Sequence, residues 1–189
     1  DNSVGGDVHI TSSMQVMIGG WVESLDEGVV QTGGYISAKD TITLDNTEPY
    51  TGGDRPGVFV EGSSELTTYD ADSSIVIDSK NDADIFGLLI AGGQVTNIRD
   101  AVTGAYIGAQ PEHFGAAALS TSISITAEHQ AEIGTQLWAG ALIEITGGDD
   151  PLEGDPEDPF NFTGVSVLLQ GSAHLETWAE NSWITISGT

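Results

Sequence analysis

The sequence predicts an all-β protein and, within that class, a parallel β-helix, a solenoid in which each coil lays short strands on those of the coil before. Three observations lead to this prediction. Apolar residues recur with the two-residue period of strands, and no stretch sustains the 3.6-residue period of a helix. The strand candidates are short and are separated by Gly, Ala, Ser, Asn or Asp. One segment also recurs further along the chain with the same spacing of apolar residues.

That internal repeat relates residues Ser74–Gly92 to residues Ser122–Gly140 at an offset of 48 positions. The matching residues are apolar or small and are mostly spaced by two, whereas the polar residues between them differ. The matched pairs are Ser74 with Ser122, Ile75 with Ile123, Ile77 with Ile125, Ala83 with Ala131, Ile85 with Ile133, Leu89 with Leu137, Ala91 with Ala139 and Gly92 with Gly140. A repeat of this kind predicts a packing unit with one buried face rather than a functional motif.

The first part of the chain fits the same frame at an offset of 67, which places Val8 with Ile75 and Ile18 with Ile85. Glycines and prolines predict two long loops, at residues 45–57 and 147–159, in a single solenoid domain that spans residues 1–189. Residues 97–119 are the least regular, and their pattern leaves open one helical turn or an ordinary strand pair.

The repeat length also predicts the number of coils. A repeat of 48 residues predicts two coils of about 24 residues, and about seven or eight coils in the whole chain. The alternative fold is an antiparallel β-sandwich adhesin module, whose strands tend to be longer and joined by hairpins.

Composition limits the possible partners. The chain has 29 acidic residues and four basic ones, which gives a formal net charge of −25. We expect no nucleic-acid partner, because phosphate contacts need clustered Lys and Arg. We expect no membrane insertion, because no apolar run approaches the roughly 18 residues of a membrane helix. The absence of Cys excludes disulfides and thiolate chemistry, and a composition low in Lys and rich in Thr, Ser and Gly favours an extracellular or cell-surface location.

Residues 70–95 carry the pattern small-x-Ile-x-Ile, then Ala-x-Ile, then Leu-x-Ala-Gly, and residues 171–188 carry its small-x-Ile-x-Ile part. This pattern resembles the repeat regions of giant bacterial surface adhesins of the filamentous-haemagglutinin-like and leukotoxin-like type. The resemblance covers about two thirds of the chain. It implies a right-handed parallel β-helix shaft with a structural role in assembly or adhesion at the cell surface, without catalysis. The sequence lacks that family's amino-terminal secretion-recognition domain, so the resemblance does not specify an export route.

The second acidic loop is the candidate metal site. It contains Asp149, Asp150, Glu153 and Asp155, and carboxylates in a flexible loop are the hard oxygen ligands that Ca²⁺ takes. The spacing matches neither an EF-hand nor a glycine-rich nonapeptide repeat, so a solvated loop stiffened by prolines is the alternative interpretation. Ca²⁺ is therefore the one cofactor for which the sequence offers candidate ligands.

Trp138 is the candidate interface residue. In the repeat it replaces Ile90, whose parity is opposite to that of the buried positions, so its side chain is expected to point outward. An outward Trp suits a contact with another protomer or with a glycan. Together with Trp178, Trp21 and Trp183 it could form an aromatic sugar platform, or these rings could fill the core or cover an end or side of the shaft.

We expect a structural protein that forms a surface fibre or filament, by stacking on copies of itself or on neighbouring repeats of the same chain. The alternative is a Ca²⁺-dependent carbohydrate-binding or polysaccharide-cleaving β-helix. A lyase needs a basic residue and cations, and a hydrolase needs two carboxylates at a fixed separation. The basic residues are scattered, and among 29 acidic residues some carboxylate pair is always available, so the sequence predicts no enzyme.

Overall fold

The structure is a computed structural model that describes residues 6–24, 28–49, 56–99, 106–113, 115–148 and 165–188. Their regular secondary structure is β-strand apart from one 3₁₀ helix, η1 (Gly115–Ser120), and the described residues contain no α-helix. In chain order, the strands are β1 (Val8–Ser12), β2 (Val16–Ile18), β3 (Gly20–Ser24), β4 (Gly28–Thr32), β5 (Tyr35–Ala38), β6 (Thr41–Asn46), β7 (Val58–Val60), β8 (Glu65–Thr68), β9 (Ser74–Ser79), β10 (Ala83–Ile85), β11 (Leu88–Ala91), β12 (Gly93–Arg99), β13 (Tyr106–His113), β14 (Ser122–Ala127), β15 (Ala131–Ile133), β16 (Gln136–Ala139), β17 (Leu142–Gly147), β18 (Val167–Leu169), β19 (His174–Thr177) and β20 (Trp183–Gly188).

The chain visits three parallel sheets in a fixed order. Sheet 1 has the strand order β1-β6-β9-β14-β17-β20, sheet 2 has the order β2-β7-β10-β15-β18, and sheet 3 has the order β5-β8-β11-β16-β19. Each coil thus gives one strand to each sheet, and the described residues hold five such coils followed by β20. Hairpins β3–β4 and β12–β13 are the antiparallel pairs in these residues. The parallel pairing contradicts the antiparallel sandwich alternative and is consistent with a β-helix or solenoid.

The internal repeat corresponds to two adjacent coils. Strand β9 pairs with β14, β10 with β15 and β11 with β16, and every pair joins residues 48 positions apart, such as Ile75 and Ile123. The frame of the first strands is also confirmed, because Val8 lies in one column with Ile42 and Ile75. The apolar residues that share the same spacing in the two repeats therefore stack directly on one another in adjacent coils.

The core is formed by side chains at every second position of the strands. In β9 and β14 the Ile residues at every second position are at most 1% exposed, and the residues between them face outward. The same pattern in each coil places columns of Ile, Leu, Val and Ala between the three sheets. Stacking like on like buries apolar side chains at a spacing of about 4.8 Å between strands, which is the main stabilising contribution in such an array.

The predicted coil count was wrong. The 48-residue repeat is one coil rather than two, because hairpin β12–β13 and η1 lie in the connection between β11 and β14. The next coil has no such segment, and its two successive strands of sheet 1 begin at Ser122 and Leu142. Of the two options left open for residues 97–119, the strand pair is confirmed, and η1 follows it.

The predicted loop boundaries also need correction. Asp45 and Asn46 extend β6, and Gly147 ends β17. Asn46 fits a strand end because its buried amide nitrogen donates to the carbonyl oxygens of Met14 and Glu48, at 2.7 and 3.1 Å. A glycine suits the last position of β17 because the backbone of Ser166 lies very close to it. A Cβ on residue 147 would lie 1.7 Å from the carbonyl oxygen of Ser166. Residues 50–55 and 149–159 lie outside the described residues.

One corner of the coil shows why a glycine is needed there. Gly92 follows β11 with a φ of 79°, in the left-handed region that side chains disfavour, as the repeat predicted for a corner position. Among the described residues there is no helix long and apolar enough to cross a membrane.

Candidate functional site

The two open ends of the stack are the first candidate site. Strands β1, β2 and β5 lie at one end of sheets 1, 2 and 3, and β20, β18 and β19 lie at the other. Within the described residues each of these strands is paired on one side only, so one row of its backbone N–H and C=O groups has no strand partner there. Unpaired parallel edges of this kind are templates for adding another strand.

At the second end of the stack, the apolar side chains that end the core columns of sheets 1 and 2 are exposed. In sheet 1, Ile143 and Ile145 are 0% exposed, whereas Ile184 and Ile186 on the next strand are 43% and 46% exposed. In sheet 2, the last residue of β18, Leu169, is 42% exposed, although its neighbour in the column is fully buried. In the part of the chain that the structure describes, no further element lies over these side chains. The end therefore presents exposed apolar side chains.

A row of four aromatic rings lies on the outer side of sheet 3. His174 stacks on Trp138 with ring centroids 4.9 Å apart, Trp138 lies 6.1 Å from Trp178, and Trp178 lies 5.1 Å from His113. The angles between successive ring planes are 29°, 31° and 43°. The rings thus turn their faces largely toward one another, which is a favourable packing for aromatic side chains.

The aromatic row packs hairpin β12–β13 against the three-sheet stack through the contact between His113 and Trp178. The outward residue Ile90 is fully buried, and the first residue of the hairpin, Gly93, lies beside both Ile90 and the ring of Trp178. A Cβ at Gly93 would be 2.5 Å from the carbonyl oxygen of Glu112 and 2.9 Å from both Ile90 and Trp178. His113, the last residue of β13, closes the row. Trp138 is accordingly half-buried on the outer side, where its parity placed it, and its role as an interface residue stays a prediction.

Two carboxylates face outward side by side on sheet 2. Asp84 of β10 pairs directly with Glu132 of β15, and Phe59 of β7 precedes them in the same column. Phe86 follows β10, and its ring lies 6.0 Å from that of Phe59. The carboxylates thus share a surface partly covered by aromatic rings, with adjacent strands about 4.8 Å apart.

Their surroundings favour the protonated forms. Burial, together with the nearby charges of Glu132 and Asp82, raises the pKa of Asp84 from 3.8 to about 7. Burial also raises the pKa of Glu132, an effect that a hydrogen bond from Gln170 to its Oε1 atom partly offsets. A neutral acid beside a carboxylate is the pairing that glycoside hydrolysis uses, so a cleaving activity would have to be sought at this pair.

Glu61, in the turn between β7 and β8, is a further carboxylate to account for. It is 0% exposed, and its Oε2 atom accepts hydrogen bonds from the backbone N–H of Ser63, at 2.9 Å, and from the hydroxyl of the same residue. Its Oε1 atom has no hydrogen-bond partner. The hydrogen bonds to Ser63 make Glu61 part of the turn. Among the described residues, no group of three or more His, Cys, Asp or Glu side chains is placed to hold a metal ion.

The predicted metal ligands Asp149, Asp150, Glu153 and Asp155 lie outside the described residues, and the Ca²⁺ site stays a prediction. The paired carboxylates were missed, although the repeat contains their signal. At an offset of 48 positions, Asp84 falls on Glu132 between two matched pairs of apolar residues. The meeting of His113 and His174 on the Trp row has no comparable signal, because it depends on how the hairpin folds back.

Comparison with known proteins adds no relative to this description. No family model, no curated protein and no solved structure matches the chain.

Proposed function

We propose that the chain is a right-handed parallel β-helix with a structural role, a length of shaft in an extracellular or cell-surface fibre that grows by stacking of coils on its open ends. One observation carries this proposal: at the end formed by β18, β19 and β20, the buried columns of sheets 1 and 2 end in exposed apolar side chains, and none of the three strands has a second strand partner among the described residues. The resemblance to adhesin shafts points to the same role.

Stacking would bury what is now exposed. Full burial of an Ile or Leu side chain contributes about 1.5–3 kcal/mol, so covering the exposed part of Ile184, Ile186 and Leu169 contributes about 1 kcal/mol each. The free backbone groups of three strand edges would gain partners at the same time. The opposite end offers half-buried apolar residues of the same kind in the same columns, including Val8, Ile10 and Ile36.

Charge sets the conditions for assembly. Two copies with a formal charge of −25 each repel one another, so stacking is expected to be weak at low ionic strength and stronger when salt screens the charges. A salt-dependent onset of assembly therefore distinguishes apolar stacking from association through opposite charges, which salt weakens.

The test is self-assembly of the purified chain across protein and salt concentrations, followed by electron microscopy and sedimentation velocity. Filaments about as wide as one chain are expected to lengthen with concentration. Leu169→Lys places a charge on the open end of the core and should abolish them. Leu168→Lys makes the same change on the outer side of the same strand and should keep them. A compact monomer under all conditions, or equal behaviour of the two variants, would contradict the proposal.

The alternative, a Ca²⁺-dependent carbohydrate-binding or polysaccharide-cleaving domain, stays a prediction. In the aromatic row the ring faces pack largely against neighbouring rings, so the row presents ring edges rather than an open face on which a sugar could stack. Calorimetry with Ca²⁺ and a glycan panel, together with turnover assays on acidic and neutral polysaccharides, checks it. Binding that Trp138→Ala removes, or cleavage that Asp84→Asn removes, would favour it over the structural role.

A further inference from the structure

We propose that the turn between β7 and β8 binds a monovalent metal cation, Na⁺ or K⁺, through the carboxylate of Glu61. This site is separate from the ends of the stack, so the proposal holds whether or not the chain forms filaments. It rests on the burial of Glu61 and on its oxygen Oε1, which has no hydrogen-bond partner.

The turn that carries Glu61 is enclosed by the coils on both sides. In the preceding coil, hairpin β3–β4 leaves the stack at the same corner, between sheets 2 and 3. The residue after that hairpin, Gly33, lies so close that a Cβ there would be 2.0 Å from the carbonyl oxygen of Ser63. In the following coil, a Cβ at Gly87 would be 2.7 Å from the carbonyl oxygen of Glu61. Glu61 is accordingly out of contact with solvent.

Hydrogen bonds hold one oxygen of the carboxylate and leave the other without a partner. The backbone N–H and the hydroxyl of Ser63 both donate to Oε2 of Glu61, an arrangement that stabilises the ionised side chain. A protonated Oε1 would need an acceptor, and this oxygen has no hydrogen-bond partner. A buried carboxylate of this kind is costly unless a positive charge lies beside it.

The described basic side chains do not supply that positive charge. The structure describes the side chains of two of the four basic residues, Lys39 and Lys80, and they pair with Asp70 and Glu128 at 3.0 and 2.8 Å. No ion pair within the described residues involves Glu61. We therefore expect the counter-charge to come from solution, where the formal net charge of −25 raises the concentration of cations near the protein.

The oxygen atoms at the turn fit a cation with a single charge. Glu61 supplies one negative charge, which one Na⁺ or K⁺ balances. The hydroxyl of Ser63 is bonded to Oε2 of the same carboxylate, so it lies near Oε1 and adds a neutral ligand. Ca²⁺ instead takes about six to eight oxygens, and its sites usually include several carboxylates. Backbone carbonyl oxygens, which every turn has, are ordinary ligands of Na⁺.

The dependence of folding on cation concentration tests the site in the full-length chain. Urea unfolding of wild type and of Glu61→Gln is measured between about 0.01 and 1 M NaCl or KCl. Tetramethylammonium chloride, whose cation is too large for the site, keeps the ionic strength constant. A cation that binds only the folded state raises the folding equilibrium constant in proportion to its concentration once the site is mostly occupied. Wild type should thus gain about tenfold for each tenfold rise in Na⁺ or K⁺.

Glu61→Gln should lose this gain, because Gln still accepts the hydrogen bonds from Ser63 but carries no charge. Glu144→Gln is the matched control, since it removes one exposed charge from β17 and should keep the wild-type dependence. Equal dependence on Na⁺ and K⁺ in wild type and Glu61→Gln would overturn the proposal. So would a difference between these two proteins that follows pH alone, which indicates a proton, or millimolar Ca²⁺ alone, which indicates a divalent site.

Wild-type crystals provide a measurement that does not depend on the folding of a variant. Crystals grown in NaCl are compared with crystals soaked in RbCl, because Rb⁺ replaces K⁺ and is visible by anomalous scattering. A peak in contact with Oε1 of Glu61, in the difference density or in the anomalous map, is the expected result. The absence of a peak at Oε1 in both crystals would overturn the proposal.

Discussion

Replacement of Asp84 by Asn should stabilise the protein at pH 8 and leave its stability at pH 4 nearly unchanged. Asn keeps the size of the side chain but cannot ionise. At pH 4 wild-type Asp84 is itself neutral in the folded state, so little changes. At pH 8 the wild-type folded state holds a partly buried charge beside Glu132, and the variant does not.

The sign follows from the raised pKa. Between about pH 4 and pH 7, Asp84 keeps its proton in the folded state but has lost it in the unfolded state. The contribution of Asp84 to stability is therefore fully present below the ordinary pKa of 3.8 and is lost as the pH rises through the folded-state pKa of about 7. The difference between 3.8 and about 7 corresponds to at most about 4 kcal/mol, at 1.36 kcal/mol for each tenfold change. Because the pair lies on an outer face where solvent relaxes part of this cost, we expect the gain at pH 8 to lie between about 1 and 4 kcal/mol.

Urea unfolding followed by circular dichroism at several pH values between 4 and 8 measures this gain for wild type and variant. Glu144→Gln is the matched control, because it also removes one charge but lies exposed on the outer side of β17. Its effect should change little with pH. An equal effect of Asp84→Asn at pH 4 and pH 8, or destabilisation at pH 8, would refute the reasoning.

Three further substitutions test packing. Leu137→Ala opens a cavity in a fully buried column and should cost about 2–5 kcal/mol in urea unfolding. Gly57→Ala puts a methyl group 2.2 Å from the Oδ1 atom of Asn46, and the forced shift should cost about 1–3 kcal/mol in the same assay. Trp178→Ala removes a ring that lies beside Gly93 and His113 of the hairpin, and it should speed amide hydrogen exchange in β12 and β13 while leaving the three sheets protected.

Each of these has a control of the same chemical type at an open position. Leu142→Ala changes a partly exposed outward residue, Gly171→Ala adds a methyl group where no atom lies within 4 Å, and Trp183→Ala removes a ring that is 58% exposed. All three should cost less than about 1 kcal/mol and leave hairpin exchange unchanged. Equal effects in a pair would show that the contact described for it does not contribute.

The repeat made the register of the coils predictable, because a buried column requires an apolar or small residue at the same place in each coil. Ile75 and Ile123, or Leu89 and Leu137, are thus paired in the structure as they are in the sequence. The coil count failed for a related reason. Spacing shows which residues align but not how much chain lies outside the sheets between them, and hairpin β12–β13 adds length without adding a coil.

The sites were harder to predict than the strands. The outward direction of Trp138 follows from parity alone, but nothing local places Trp178 beside Gly93, 85 positions earlier in the sequence. The raised pKa of Asp84 likewise depends on burial and on the charge of Glu132 in the next coil, neither of which a local pattern encodes. Exposure of the end columns is a property of the assembled stack and has no sequence signal.

The connection between sheets 3 and 1 has a consequence for how such a chain can change over generations. It takes only Gly140 and Ala141 after β16, but residues 92–121 after β11, and both routes deliver the chain to the next strand in the same register. A segment at this corner can therefore be gained, lost or exchanged without disturbing the strands on either side. The three sheets can thus stay the same while segments at this corner change, and selection can act on the surface that these segments display.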